Sequence, residues 1–388
     1  MMSQSAIRYH MVQPQNTKTS YEEYDTVDFV LTAEGRKLTG GSVVLLGDVI
    51  LNGPDGSDTN PFPTILDYKI AYDGFVGSHS YIERIDTLFE QVGNIENISD
   101  YPKYISGKSQ ASLCKEDLFN SVYTCENRVA DNDYMANFLL KGSVDISKVE
   151  TSPWNPAFVK PLDFALKLDF CLNNMIGDNM LPYAKTGDIR VSLKLAPNTY
   201  SLYGNATIGS AITYSLKNLR IMYSSVPDDG KYSPKYTMRI KAGIRQSVQS
   251  SFANISTKVP IVADSFWATF IQQSEENSPV SNGMKNERIP LLQELQIIWN
   301  DAMNQQITYT IESEEEVLNN FINAVAKSVT TNNCNLNVLS SNQGYGIGMA
   351  FQQFVDLSRS KIGINLKSAI SNLNPYVGYF FFSGLLSI

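Results

Sequence analysis

Leu162-Asp163-Phe164-Ala165-Leu166-Lys167-Leu168-Asp169-Phe170-Cys171-Leu172 carries an apolar side chain at every even position. That is the period of a strand with one buried face, with Asp163, Lys167 and Asp169 expected among the residues of the other. After a loop holding Gly177, Pro182 and Gly187, the alternation resumes in Ile189, Val191, Leu193 and Leu195, opposed by Asp188, Arg190, Ser192 and Lys194. Tyr214 to Val226 makes a third strand. Its apolar phase moves from Leu216 to Leu219, Ile221 and Tyr223, which requires a bulge or a change of sheet. Three long strands joined by turn-rich connections predict the closing part of an antiparallel sandwich.

Upstream of this block, Val27–Leu31 and Val43–Leu51 read as strands separated by Gly35 and Gly40-Gly41. Ile82, Ile85, Leu88, Phe89, Val92 and Ile95 recur at three- and four-residue steps and predict a helix. Residues 103–135 form a polar insertion in which Glu116–Tyr134 is a helix candidate, and Phe138–Ile146 returns to strand character. Residues 1–20 are polar and read as an arm ordered only by contact with something else.

Downstream, Pro227-Asp228-Asp229-Gly230 combines a breaker, a turn pair and charge, and marks a domain boundary. Strands are expected around Met238–Ile244, Val259–Ile271 and Leu291–Trp299, with Ser274–Arg288 as a polar loop. Ser313 and Glu316 have capping-box spacing, and Val317, Leu318, Phe321, Ile322 and Val325 form an apolar stripe, so a helix of about four turns should begin here. Near the end, Ile362-Gly363-Ile364-Asn365-Leu366-Lys367 repeats the order of Ile189-Arg190-Val191-Ser192-Leu193-Lys194, and each is followed by an aromatic-rich strand, Tyr376–Leu386 in the second case. Two halves that end alike suggest a duplicated sandwich.

Leu181-Pro182-Tyr183, a turn, Asp188-Ile189-Arg190-Val191-Ser192-Leu193 and then Tyr214-Ser215-Leu216-Lys217-Asn218-Leu219-Arg220-Ile221-Met222-Tyr223 together resemble the last strands of the first barrel in double jelly-roll major capsid proteins. That family builds the shells of tailless icosahedral viruses, including tectivirus, corticovirus and finnlakevirus phages, with the adenovirus hexon a more distant relative. The resemblance implies an all-β chain with a few short helices, made of two tandem eight-stranded jelly-roll β-sandwiches. Residues 1–20 would be an N-terminal arm, 21–226 the first jelly roll, 227–235 a linker and 236–388 the second. The implied role is that of a structural, non-enzymatic capsid protein. Homotrimers of pseudo-hexameric outline would tile an icosahedral virion around an internal membrane and genome. Implied partners are copies of itself, neighbouring capsomers, vertex (penton) and minor capsid proteins, and membrane lipids on the inner side. The chain would be made in host cytoplasm and end in the virion. The loops 52–63, 100–135 and 274–288 would form towers or contacts between capsomers. The alternative is a tandem β-sandwich that binds carbohydrate or a receptor, as in a spike or adhesin.

Composition narrows the chemistry. At 388 residues the chain suits two domains, and a formal charge of −8 gives no overall basic field for packaging DNA or binding it by sequence. Four cysteines, Cys114, Cys125, Cys171 and Cys334, form no C-x-x-C pair and read as free thiols, with Cys114–Cys125 as the one candidate bridge. Only His10 and His79 are present, which disfavours a histidine-built metal site and Ser-His-Asp or Cys-His catalysis; His79 reads as a polar turn residue. Asp55 and Asp58 lie in a turn-rich loop without the full ligand spacing of a calcium site. The acidic run Glu312, Glu314, Glu315 and Glu316 suits the first turn of a helix. Gly344–Gly348 is glycine-rich without a phosphate-loop pattern. Lys231, Lys235, Arg239, Lys241 and Arg245 are expected on a solvated strand face, with lipid headgroups or genome as a second use. No catalytic, cofactor-binding or metal-ligating residue is nominated, and no cofactor is expected.

Overall fold

The computed structural model describes residues 7–52, 73, 75–112, 162–203, 213–249, 252–289, 292–300, 305–328, 346–370 and 374–388. The first half contains β1 (Arg8–Val12), β2 (Thr26–Leu31), β3 (Arg36–Thr39), β4 (Val44–Asn52), β5 (Ile82–Phe89), β6 (Gly93–Ile98), helix α1 (Tyr101–Ser112), β7 (Leu162–Leu166), β8 (Met175–Ile176), β9 (Met180–Pro182), β10 (Ile189–Leu195) and β11 (Thr213–Pro227). The second contains β12 (Thr237–Val248), β13 (Phe252–Thr257), β14 (Val262–Gln272), β15 (Leu292–Asn300), β16 (Gln306–Ile311), helix α2 (Glu314–Ser328), β17 (Gly346–Asp356), β18 (Ile362–Ser368) and β19 (Tyr376–Ser387).

Two sheets face each other in each half. In the first, β1-β11-β4-β7 opposes β2-β10-β5-β6; in the second, β12-β19-β14-β17 opposes β13-β18-β15-β16. With the short strands β3, β8 and β9 set aside, each half has eight strands, and their order is the same in both. Counted along the chain, one sheet runs first, eighth, third, sixth and the other second, seventh, fourth, fifth. That order is the jelly roll. The echo between Ile189–Lys194 and Ile362–Lys367 is therefore structural, since β10 and β18 are both seventh strands and each leads into the long eighth.

The apolar phase shift in β11 is a bulge: the register with β4 slips between Lys217 and Arg220, and Asn218 takes a φ of 54°. β19 is buried on both faces, as Tyr379, Phe380, Phe381 and Phe382 lie within its buried run. Phe382 meets Phe266, which also stacks near Phe351 and so toward Trp299 of the opposing sheet. Phe381 points the other way, onto Trp267 and Tyr104 of α1. Helix α2 begins where the capping pattern places it, with the Glu316 N–H donating to Ser313 Oγ at 3.2 Å.

Three expectations are corrected. Residues 82–95 form the β5–β6 hairpin instead of a helix. The spacing misleads because the β5–β10 register skips Glu83 and because polar Thr87 occupies an inward position, while Leu88 and Val92 face solvent. The run 162–172 is a strand only to Leu166; a 3-10 turn at Cys171–Asn173 follows, so Asp169 is no longer on a strand. The polar N-terminal arm contains β1, which pairs with β11 from Arg8↔Ser225 to Val12↔Ile221. An edge strand is held by backbone hydrogen bonds along one side, so it needs little apolar alternation. The predicted features at 52–63, 116–134 and 138–146, residues Asp55 and Asp58, and Cys114, Cys125 and Cys334 lie outside the described residues.

Candidate functional site: the seam between the barrels

The second barrel continues a sheet of the first. β12 uses one edge for β19 and the other for β6, in parallel at Ala242↔Asn97, and for β8, antiparallel at Thr237↔Ile176, giving a single sheet of nine strands. The Arg239 N–H donates to the Asn174 carbonyl at 2.9 Å across the same seam. Gly243 permits this approach, because a Cβ there would lie 2.4 Å from the Ser99 carbonyl oxygen.

Beneath the strands lies a buried set of charges drawn from both barrels. Asp169 receives Lys108 of α1 on Oδ2 and Lys241 of β12 on Oδ1. Tyr104 OH donates to the same carboxylate at 3.0 Å and Asn174 Nδ2 at 2.6 Å, while the Asp169 N–H donates to Tyr101 OH at 2.9 Å. Burial pushes the Asp169 carboxyl up, but the two ammonium groups outweigh it and hold the group well below its usual range. Glu96 of β6 accepts the N–H of Lys241 at 2.8 Å and the N–H of Cys171 at 2.6 Å, one on each oxygen. Here burial wins over Lys241 and the backbone donors, and the carboxyl is pushed up to about 7.

α1 carries the seam further. It belongs to the first barrel but packs on the outer face of β14 and β19, where Tyr104 meets Trp267 at 5.5 Å between ring centroids. Gly107 abuts Trp267 so closely that a Cβ would sit 2.4 Å from Cζ3. The segment 273–289 closes over the helix: Ser106 Oγ donates to the Met284 carbonyl at 2.7 Å, and Asn286 Nδ2 to Gln110 Oε1 at 2.8 Å. Lys103 is entirely buried, donating to the Lys285 carbonyl at 3.2 Å and lying over the Tyr379 ring, and burial lowers its pKa to about 7. The segment 274–288, expected as a polar loop for towers or contacts between capsomers, also serves within the chain as a clasp over α1.

The basic group of β12 is corrected in the same way. Lys241 is 1% exposed, Arg239 pairs with buried Asp264 at 3.0 Å, and half-exposed Arg245 grips Glu276 through two nitrogens. Lys231 and Lys235 are exposed but precede the strand, so β12 itself carries no solvated cationic stripe. His79 lies buried in a 3-10 turn with Nδ1 3.1 Å from Tyr101 OH, and His10 on β1 stacks on Tyr223 and bonds Ser225 Oγ. Cys171 is a buried free thiol. Among the described residues no three His, Cys, Asp or Glu side chains gather as a metal site. An open depression of about 380 Å³ between Gln13–Tyr21 and Asn218–Arg220 is lined by no acid, thiol or imidazole. The sequence missed Asp169, Glu96 and Lys241 as partners because their shared contact is set by tertiary structure; buried polar residues at strand and turn positions were the only trace.

The sequence matches no protein-family model and no curated protein. The structure does match solved ones. PBCV-1 VP54, in a crystal structure fitted into a reconstruction of the virophage Sputnik, superposes with a TM-score of 0.60 at 9% identity, over 98% of this chain and 94% of that one. A cryo-EM structure of the Sputnik virophage gives 0.58 at 12% identity, over 98% and 86%. The Faustovirus major capsid protein gives 0.57 at 8% identity, over 98% and 90%. At these identities what is shared is the fold, from one end of the chain to the other.

Proposed function

We propose that the chain is a major capsid protein, a non-enzymatic block that assembles as a homotrimer and tiles the shell of an icosahedral virion. The observation that carries this is the repeated strand order of two barrels fused into one nine-stranded sheet, at the full length of the viral capsid chains it superposes on. Two like barrels per chain give six per trimer, so one gene product can fill positions of near-sixfold outline. The chain divides at residues 227–235, with β1 counted in the first barrel. Among the described residues, exposed Lys231 and Lys235 are groups available to an inner lipid or genome surface. Vertex and minor capsid proteins would meet the trimer at its rim.

Stability fits a block. The two barrels share buried charges and a helix and so are joined by more than a linker, which suits a shell better than a flexible tandem binder. The test is the native mass in solution by light scattering. A stable species of three times the chain mass, and shell-like or sheet-like particles on concentration, is the expected result. A monomer at high concentration would overturn the proposal.

A further inference from the structure

The seam inside one chain joins unlike surfaces. The first barrel offers its fifth strand, β6, with the helix that follows; the second offers the free edge of its first strand, β12, and the outer face of that strand's sheet. The strand order is repeated, so each barrel also owns the surface its sibling used. On the second barrel this is β16 and the start of α2; on the first it is β1 and the outer face of β1-β11-β4.

Among the described residues both of these are uncovered. β16 is a sheet edge pairing only with β15, and Gln306, Ile307, Thr308 and Thr310 are all exposed. β1 pairs with β11 along one side, and its outward face presents Tyr9 at 71% and Met11 at 56% exposure beside half-buried Met222 and Val44. The corresponding face of the second barrel is Phe381 and Trp267, buried under α1. The two open surfaces also carry opposite charge: exposed Glu312 and Glu315 adjoin β16, and exposed Arg8 and Arg220 flank the β1 face. Exposed apolar side chains on an unpaired strand edge are a surface that proteins otherwise cover.

We infer that β16 and the start of α2 of one copy dock on the β1 edge and the Tyr9–Met11 face of the next, repeating between chains the junction that α1, β6 and β12 make within one. Such a contact is head to tail, and it closes into a ring when the rotation per step permits. The inference rests on the capsid proposal and names the surfaces that build its trimer.

A photo-crosslinking benzoylphenylalanine at Tyr9, in an equal mixture of isotopically light and heavy protein, tests it by mass spectrometry. The expected product joins Tyr9 of one copy to residues 306–327 of another. Crosslinks only within a chain, or to another region, overturn it. Ile307→Asp and the pair Tyr9→Asp with Met11→Asp should each weaken association by about tenfold or more, with far-UV circular dichroism unchanged and melting temperature equal to the parent's at a dilution where both are dissociated. Variants that associate as the parent does overturn it as well; should a variant melt early, the Tyr9 crosslink decides. If the parent is a trimer and Tyr9 crosslinks elsewhere, this interface alone fails. If the parent stays a monomer at every concentration, the capsid proposal fails and the interface with it.

Discussion

Helices α1 and α2 each follow the fifth strand of their barrel, yet they live in opposite environments. α1 is buried on every side, between its own barrel, the second barrel and the 273–289 clasp. α2 buries Val317, Phe321, Ala324 and Val325 against its own barrel and leaves Glu315, Asn319 and Asn323 in water. The difference teaches that position in a repeated fold does not decide burial; what decides it is whether a neighbouring barrel has already arrived. It also explains why one helix could be read from sequence and the other could not. A helix with one wet face shows an apolar stripe. A helix enclosed by polar partners as well as aromatic ones, as Tyr101-Pro102-Lys103-Tyr104-Ile105-Ser106-Gly107-Lys108 is, shows none.

That contrast can be broken first at its charged centre. Asp169→Ala leaves Lys241 and Lys108 without their carboxylate and should cost roughly 3–5 kcal/mol in urea unfolding, the usual result of orphaning a buried charge. A loss below about 1 kcal/mol would mean that the seam is far wetter than its geometry. Next comes pH. The folded protein raises the Glu96 carboxyl to about 7, so it binds a proton more readily when folded than unfolded. Its contribution is whole below the unfolded value of 4.5 and is lost as pH rises through 7, and Asp100, pushed to about 6 by burial, acts in the same direction. Lys103 is depressed to about 7, so its contribution is whole above 10.5 and is lost as pH falls toward 7. Melting temperature should therefore fall between pH 5 and 7, with Glu96 supplying about 2 kcal/mol over that range, and Glu96→Gln should flatten that slope.

Packing gives a third, smaller effect. Gly107→Val drives two methyl groups into Trp267 and should destabilise by about 1–3 kcal/mol, whereas Asn323→Ala on the wet face of α2 should stay within about 0.5 kcal/mol. Equal effects in chemical denaturation would erase the distinction between the helices. The smallest is the cap: Ser313→Ala removes the acceptor for the Glu316 N–H and should cost about 1 kcal/mol, confined to α2 in hydrogen exchange.

Strands were legible in two ways: by alternation where water lies on one side, and by an unbroken apolar run where both faces are buried, as in β14 and β19. β10 alternates cleanly because Arg190 is exposed and Ser192 and Lys194 are half so, while Ile189, Val191, Leu193 and Leu195 point inward. The β11 bulge showed as a slip of phase for the same reason. The seam was illegible because its residues obey neither period: Asp169 follows a strand end, Glu96 occupies a buried place on β6, and Lys241 sits on a strand covered on both faces. Each is an ordinary surface residue type placed where only a distant segment supplies its counter-charge. β1 escaped notice because its order comes from ladder hydrogen bonds, which any side chain can accompany.

One consequence of Asp169 being shared between two ammonium groups concerns cutting and swapping. If the chain is severed within residues 227–235, the amino-terminal piece keeps an acid with one of its two lysines and a helix stripped of its aromatic roof, and the carboxy-terminal piece keeps Lys241 with no acid to face. Neither piece is a portable module. Chimeras that trade one barrel for that of a distant relative should survive only when Asp169, Glu96 and Lys241 are traded as a set, so inheritance of the two halves is tied through a handful of charges.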